Sequence, residues 1–280
     1  MKIGFIAEPY EETGASGMGY MILELLKHLP VVAKGHEFTI YSSTPINKTL
    51  VHVPVRNVIV PSSLIDKLLW FLRTKEDLNV LLFVAPLLPL VLPRRIKPVI
   101  ICPELGSQNI TPGTLKGKCI AFIRDYILMP ISLSRAAAII AISQATKVDI
   151  IQHYNVPEEK IRVIYVGYQD LTRFRGTMSY IDKKMQPYFF FTGRVKHRKN
   201  VHNLVSAFIT FKKRTNADCK LVIAGKTGGP YQQVMLSELE RHNLQQDVFF
   251  VGYLSPEMLC AHYIHALAFV FPSLNETYCF

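Results

Sequence analysis

The sequence is short of the features that would place it in several large protein classes. It has 5 cysteines (Cys102, Cys119, Cys219, Cys260 and Cys279), odd in number and nowhere in a C-x-x-C arrangement. That scatter argues against a disulfide framework and against a zinc site. Reduced thiols are expected, four of them packed as small hydrophobes. The histidines fall at helical spacings or element edges and form no metal-ligand pattern, so no metal and no cofactor is expected. The longest apolar run, 80–92, is too short to span a membrane and contains Pro86 and Pro89. The first residues, Met1-Lys2-Ile3-Gly4-Phe5-Ile6-Ala7-Glu8, meet a carboxylate too early for a signal peptide. The reading is a cytoplasmic protein. Acidic residues are also scarce, 21 against 32 Lys and Arg, for a net charge of +11. An anionic partner follows, and nucleic acid, sugar nucleotides and anionic lipid are the natural classes. With no zinc finger, arginine-rich block or regular aromatic interleaving, nucleic acid is set aside.

What is present is the composition of a folded globular protein, 49% hydrophobic and 19% charged. A length of 280 residues suggests two domains. Residues 2–7 read as a buried strand, followed by a polar glycine loop to Gly19 and a helical stretch at 20–29. Apolar runs at 37–41, 79–84, 98–102 and 137–142 read as further strands separated by helical stretches, with an amphipathic segment at 64–72. Periodicity stops between Gln169 and Gln186. It resumes as strand 188–192, helix 200–213, strand 220–224, helix 231–242, strand 247–251, helix 256–265 and strand 267–271. This alternation predicts an α/β fold of two Rossmann-like, doubly wound parallel-sheet domains, 1–172 and 187–280, with a linker at 173–186. Two such domains facing each other leave a cleft at the carboxyl ends of their strands.

The stretch from Pro187 to Phe280 concentrates the chemistry. The strand-like Tyr188-Phe189-Phe190-Phe191 turns at Thr192-Gly193 into a cationic segment, Arg194, Lys196, His197, Arg198 and Lys199, before Asn200 opens an amphipathic helix. A glycine turn, fixed cations and a helix N-terminus together make an anion site. The run Phe269-Val270-Phe271-Pro272-Ser273-Leu274-Asn275-Glu276 then delivers a carboxylate from a strand end. Cations for charge and a carboxylate for hydroxyls are what a sugar diphosphate requires.

Gly193-Arg194 with Lys199-Asn200, Leu221-Val222-Ile223-Ala224-Gly225, Val251-Gly252-Tyr253 and Pro272-Ser273-Leu274-Asn275-Glu276 resemble, in order and spacing, the retaining nucleotide-sugar glycosyltransferases of family four (group 1), which have the GT-B fold. Weaker motifs, Ile140-Ala141-Ile142-Ser143 and Ile161–Gly167, extend the resemblance over essentially the whole chain. It implies that Arg194 and Lys199 neutralise the donor diphosphate without a metal, that Glu276 contacts the donor sugar, and that Gly193 and Asn275 line the same site. Lys196 and Arg198 are read as the solvated edge of the turn. Gly17 and Gly19 would let the backbone approach the donor phosphates. The dehydrogenase reading of Thr13–Gly19 is rejected, because residues 8–12 separate the motif from its strand. Glu104 stands where the family carries the carboxylate of an acceptor-side His-Asp pair, with Pro103 in place of the histidine.

The activity implied is retaining transfer of a hexose from a nucleotide diphosphate sugar to a glycan or lipid-linked acceptor in surface polysaccharide synthesis. The segments 64–73 and 89–95 are candidates for a peripheral contact at the inner face of a membrane. The family places a second glutamate eight positions beyond Glu276, past Phe280, so the second domain is expected to be incomplete at its C-terminus. The expectation is then either a shortened enzyme or a catalytically incomplete relative that acts as a binding or interaction module.

Overall fold

The computed structural model describes residues 1–8, 17–51, 53–61, 66, 70, 77–89, 91–103, 105, 115–168, 170–177, 181–274 and 276. The chain divides into two compact units, Met1–Gly167 and Tyr168–Glu276.

The first unit is built on β1 (Lys2–Ile6), β2 (Glu37–Ser42), β3 (Arg56–Ile59), β4 (Val80–Phe83), β5 (Lys97–Cys102), β6 (Ala138–Ala141) and β7 (Ile161–Val163). They pair in the order β3-β2-β1-β4-β5-β6-β7, every ladder parallel. Consecutive strand residues feed two different cores, because side chains alternate across a sheet. Phe5, Ile40 and Ile101 join one cluster with Met21, Ile22 and Leu26 of the helix Gly17–Val32. Tyr41, Leu81, Ile100 and Ile139 join the other with Met129 and Leu133. The helix Gln144–Tyr154 starts on Ser143, whose hydroxyl accepts from Thr146 N at 3.1 Å, and ends on left-handed Asn155. Both faces are therefore covered, as a parallel sheet requires.

The second unit repeats the plan with β8 (Tyr188–Thr192), β9 (Lys220–Ala224), β10 (Val248–Gly252) and β11 (Ala268–Phe269), ordered β10-β9-β8-β11 and parallel. Phe191, Leu221 and Ile223 pack under the helices Val201–Thr215 and Pro230–Arg241, while Tyr188, Phe190 and Val222 face Ala261 of the helix Pro256–His265.

The elements expected in this unit all form, within a residue or two at their ends. The last strand pairs over Ala268–Phe269 rather than 267–271, although Val270 N still donates to Phe190 O at 2.8 Å. The interval 173–186 carries 3-10 turns at Leu171–Thr177 and Lys183–Met185, and Ile181 is buried against Tyr188 and Phe190. Such turns are too short to show an apolar period. Of the described cysteines, Cys102, Cys219 and Cys260 are buried but Cys119 is exposed, so not all four pack inside.

Candidate functional site

Ligands of doubly wound sheets bind beyond the carboxyl ends of the strands, where the strand order reverses. In the second sheet that reversal lies between β8 and β11. The residues following these two strands are the cationic turn and the carboxylate loop.

The turn is shaped by glycines. Strands β8, β9 and β10 run out at Gly193, Gly225 and Gly252, all at positive φ (151°, 121° and 72°). Gly193 N donates to Ala224 O at 2.9 Å, and Gly225 N donates to Gly252 O at 2.6 Å. A Cβ on Gly225 would lie 2.1 Å from Gly193 O, so side chains are excluded where the backbones meet. The chain then makes a 3-10 turn, His197–Lys199, and passes through left-handed Asn200 into the helix Val201–Thr215. Asparagine tolerates that conformation better than most residues. Its side chain is also used: Nδ2 donates to Pro272 O at 3.0 Å, while Leu274 N donates to Arg198 O at 2.9 Å. These two bonds tie the turn after β8 to the loop after β11.

The result is a compact ionic constellation. Lys199 Nζ lies 2.5 Å from Glu276 Oε1, and Arg198 Nη1 lies 3.1 Å from Glu276 Oε2. The three side chains are only 12–18% exposed. Lys199 Nζ also stands 4.6 Å above the Phe271 ring, which stacks on Phe191. Burial works most strongly on the Glu276 carboxyl and would raise its pKa. The Lys199 hydrogen bond and the charges of Lys199 and Arg198 outweigh it and hold the carboxyl below the usual range. Glu276 is thus an ionised internal counter-ion for two cations.

Of the residues expected at the site, Lys199 and Glu276 are brought together directly and Gly193 shapes the turn between strand and cations. Arg194 follows Gly193 and is exposed. Arg198, expected at the solvated edge, is instead half-buried on Glu276. The reason is that a 3-10 turn pinned at Arg198 O presents both neighbouring side chains to the same loop. The adjacent Arg-Lys pair before a helix was the available signal. The helix amides are less open than expected, since His202 N donates to Tyr231 Oη at 3.1 Å. Gly17 and Gly19 occupy the first turn of the helix Gly17–Val32 rather than a loop, and neither has positive φ. Glu104 and Asn275 lie outside the described residues, as does nearly all of 64–73.

Among the described residues no cluster of three or more His, Cys, Asp or Glu side chains could hold a metal ion. No helix there is long and apolar enough to cross a membrane. A cavity of about 700 Å³ in the first unit, lined by Lys2, Lys34 and Arg56 among others, opens at the amino ends of β1–β3, the opposite edge from ligand sites of this fold.

Comparison with known proteins agrees with this fold. The sequence profile described as Glycosyl transferases group 1 matches residues 179–280, and that of Glycosyltransferase Family 4 matches residues 118–170. The O-antigen chain mannosyltransferase RfbU of Salmonella typhimurium is 31% identical over 182 residues, 62% of this chain and 48% of its own length. The chain spans about half or less of the curated relatives it matches, between 39% and 48% of their length. The solved sucrose-phosphate synthase of Thermosynechococcus elongatus superposes with a TM-score of 0.70 at 16% identity, covering 100% of this chain and 77% of that one. Anabaena Alr3699/HepE, solved in complex with UDP and glucose, superposes with a TM-score of 0.65 at 14% identity over 99% of this chain and 76% of that one. The two profiles and the solved neighbours agree with the two parallel doubly wound units, and the chain is a family-four-like glycosyltransferase of GT-B fold.

Proposed function

We propose that the protein transfers a hexose, with retention and without a metal, from a nucleoside diphosphate sugar to a glycan or lipid-linked acceptor in surface polysaccharide synthesis. The observation that carries this reading is the Arg198–Lys199–Glu276 constellation at the switch point of the second sheet. The Salmonella relative is named a mannosyltransferase and the Anabaena neighbour carries UDP and glucose, which makes UDP-sugars and mannose donors the first to try.

In this reading the donor diphosphate takes over Lys199 and Arg198, with Arg194 closing from the exposed side of the turn. Two fixed cations stabilise the charge that grows on the leaving phosphate, the electrostatic part of the catalysis. Glu276, released from its internal pairs, accepts hydrogen bonds from the sugar hydroxyls. Retention on one face lets the leaving phosphate accept the acceptor proton, so no second carboxylate need flank the bond, in contrast to glycoside hydrolases. Gly193 and Asn275 complete the donor side of the second unit, and Glu104 is assigned to the acceptor. A lipid-linked acceptor places the protein in the cytoplasm against the inner face of a membrane.

The test is a panel of nucleoside diphosphate sugars scored by calorimetric binding and by donor turnover, with Lys199→Ala as the control. Saturable binding of one nucleoside diphosphate that Lys199→Ala weakens at least about tenfold supports the assignment. Binding that is indifferent to Lys199 removes it.

A further inference from the structure

The loop after β11 holds a hydroxyl that the free protein leaves unused. Ser273 Oγ is shut off from solvent and has no hydrogen-bond partner, the one buried side-chain polar atom in that state among the described residues. Leaving such a group unbonded costs free energy, so its retention in the loop calls for a reason. The backbone on either side of it is fixed. Pro272 O accepts from Asn200 Nδ2 at 3.0 Å, and Leu274 N donates to Arg198 O at 2.9 Å. These two bonds clamp Ser273 between them. A serine oxygen moves only by rotation about one bond, so the hydroxyl cannot travel far from where the loop holds it.

What the hydroxyl faces is the Glu276 carboxylate. It stands near enough to help hold that carboxyl ionised, though outside hydrogen-bond geometry. Both carboxylate oxygens are engaged elsewhere: Oε1 accepts from Lys199 Nζ at 2.5 Å and Oε2 from Arg198 Nη1 at 3.1 Å. Each oxygen keeps a second lone pair, so a further donor can be accepted. In the free protein the cations therefore set the position of the carboxylate. An anion that takes over Lys199 and Arg198 reverses this. Glu276 is only 18% exposed, and a carboxylate stripped of both counter-ions there is costly unless another donor reaches it. Ser273 supplies that donor from the same loop, three residues earlier in the chain.

We propose that Ser273 is a positioning residue of the donor site: its hydroxyl donates to Glu276 when a diphosphate displaces the carboxylate from Lys199 and Arg198. The proposal rests on the diphosphate reading given above and adds a residue to it. The result is an exchange of partners. In the free protein the cations hold the carboxylate and the hydroxyl is idle. In the complex the cations hold the phosphates and the hydroxyl holds the carboxylate, ready for the sugar hydroxyls. Ser273 thus eases the competition between the internal anion and the incoming one without touching the ligand, and its proton stays on the serine throughout.

The probe is inorganic pyrophosphate, which carries the charge of the donor without its base or sugar, titrated calorimetrically into the full chain. Ser273→Ala is expected to weaken pyrophosphate binding about tenfold, the effect of one charge-assisted hydrogen bond. Ser273→Thr, which keeps the hydroxyl, should bind more tightly than Ser273→Ala. Urea unfolding without ligand should show Ser273→Ala at least as stable as wild type, because only an unbonded group is removed; a purely structural serine would lose stability instead. In the Glu276→Gln background, where no internal anion competes for the cations, Ser273→Ala should change affinity by less than about threefold. Equal affinity of Ser273→Ala and wild type overturns the proposal and leaves the diphosphate reading standing. A loss that persists in full beside Glu276→Gln also overturns it, and puts the hydroxyl on the phosphate itself. Pyrophosphate binding that is indifferent to Lys199→Ala removes the diphosphate reading and this proposal with it.

Discussion

Replacing Glu276 with glutamine is expected to tighten nucleoside diphosphate binding while it slows transfer. In the free protein the carboxylate sits 2.5 Å from Lys199 Nζ and 3.1 Å from Arg198 Nη1. The cations a diphosphate needs are therefore already occupied, and the incoming anion has to compete with an internal one. A unit charge pair with centres about 4 Å apart is worth about 4 kcal/mol at an effective dielectric near 20. The diphosphate recovers most of that attraction, and the partial exposure of the three side chains screens the rest. What glutamine removes is the residual competition, about 1–2 kcal/mol, or roughly five- to thirtyfold in Kd. The same change deprives the sugar hydroxyls of a charged acceptor, which costs about 1.5–3 kcal/mol of transition-state binding. It also leaves two half-buried cations without their counter-ion, so stability should fall by about 1–3 kcal/mol. Calorimetric titration of UDP against wild type and Glu276→Gln, beside donor turnover and urea unfolding, reads all three quantities. A Kd that rises or does not move in Glu276→Gln refutes the counter-ion argument.

Other outcomes follow from the same geometry. Arg194→Ala and Lys199→Ala should each weaken nucleoside diphosphate binding by roughly 1.5–3 kcal/mol, with wild-type affinity falling as salt is added; titrations at two ionic strengths check both. Gly225→Ala drives a methyl group into Gly193 O, 2.1 Å away at φ +121°, and should cost more than about 2 kcal/mol of stability and displace the cationic turn, read by unfolding and by lost diphosphate affinity. His262 is buried and bonded to Tyr188 Oη at 3.1 Å, and burial first, then the charge of His265, pushes its pKa below the ordinary histidine value of 6.5. A depressed histidine pKa means that the unfolded chain binds the proton first. The contribution is therefore intact above pH 6.5 and lost as pH falls from there toward the folded pKa. Urea midpoints at about pH 7.5 and 5.5 should differ in wild type and converge in His262→Gln.

The sheet-and-helix rhythm of the second unit is legible in the sequence, and so are the cationic turn and Glu276. Buried parallel strands are written as apolar runs such as Tyr188–Phe191 and Leu221–Ala224, and the Gly193-to-Asn200 spacing is local in the chain. β3 and β7 were not foreseen, because Arg56–Ile59 and Ile161–Val163 are short, carry arginines and form only by pairing with the strands beside them. The tertiary structure alone decided which cations meet the carboxylate. Arg194, Arg198 and Lys199 are alike in a one-dimensional pattern, and only the Leu274–Arg198 and Asn200–Pro272 bonds turn Arg198 and Lys199 onto a carboxylate 77 residues away from the lysine. The run 115–135 is a second case, since only the structure shows that Ile120, Phe122 and Tyr126 face outward. Local chemistry is set by neighbours in sequence, whereas pairing and exposure are set by what long-range packing brings within a few ångströms.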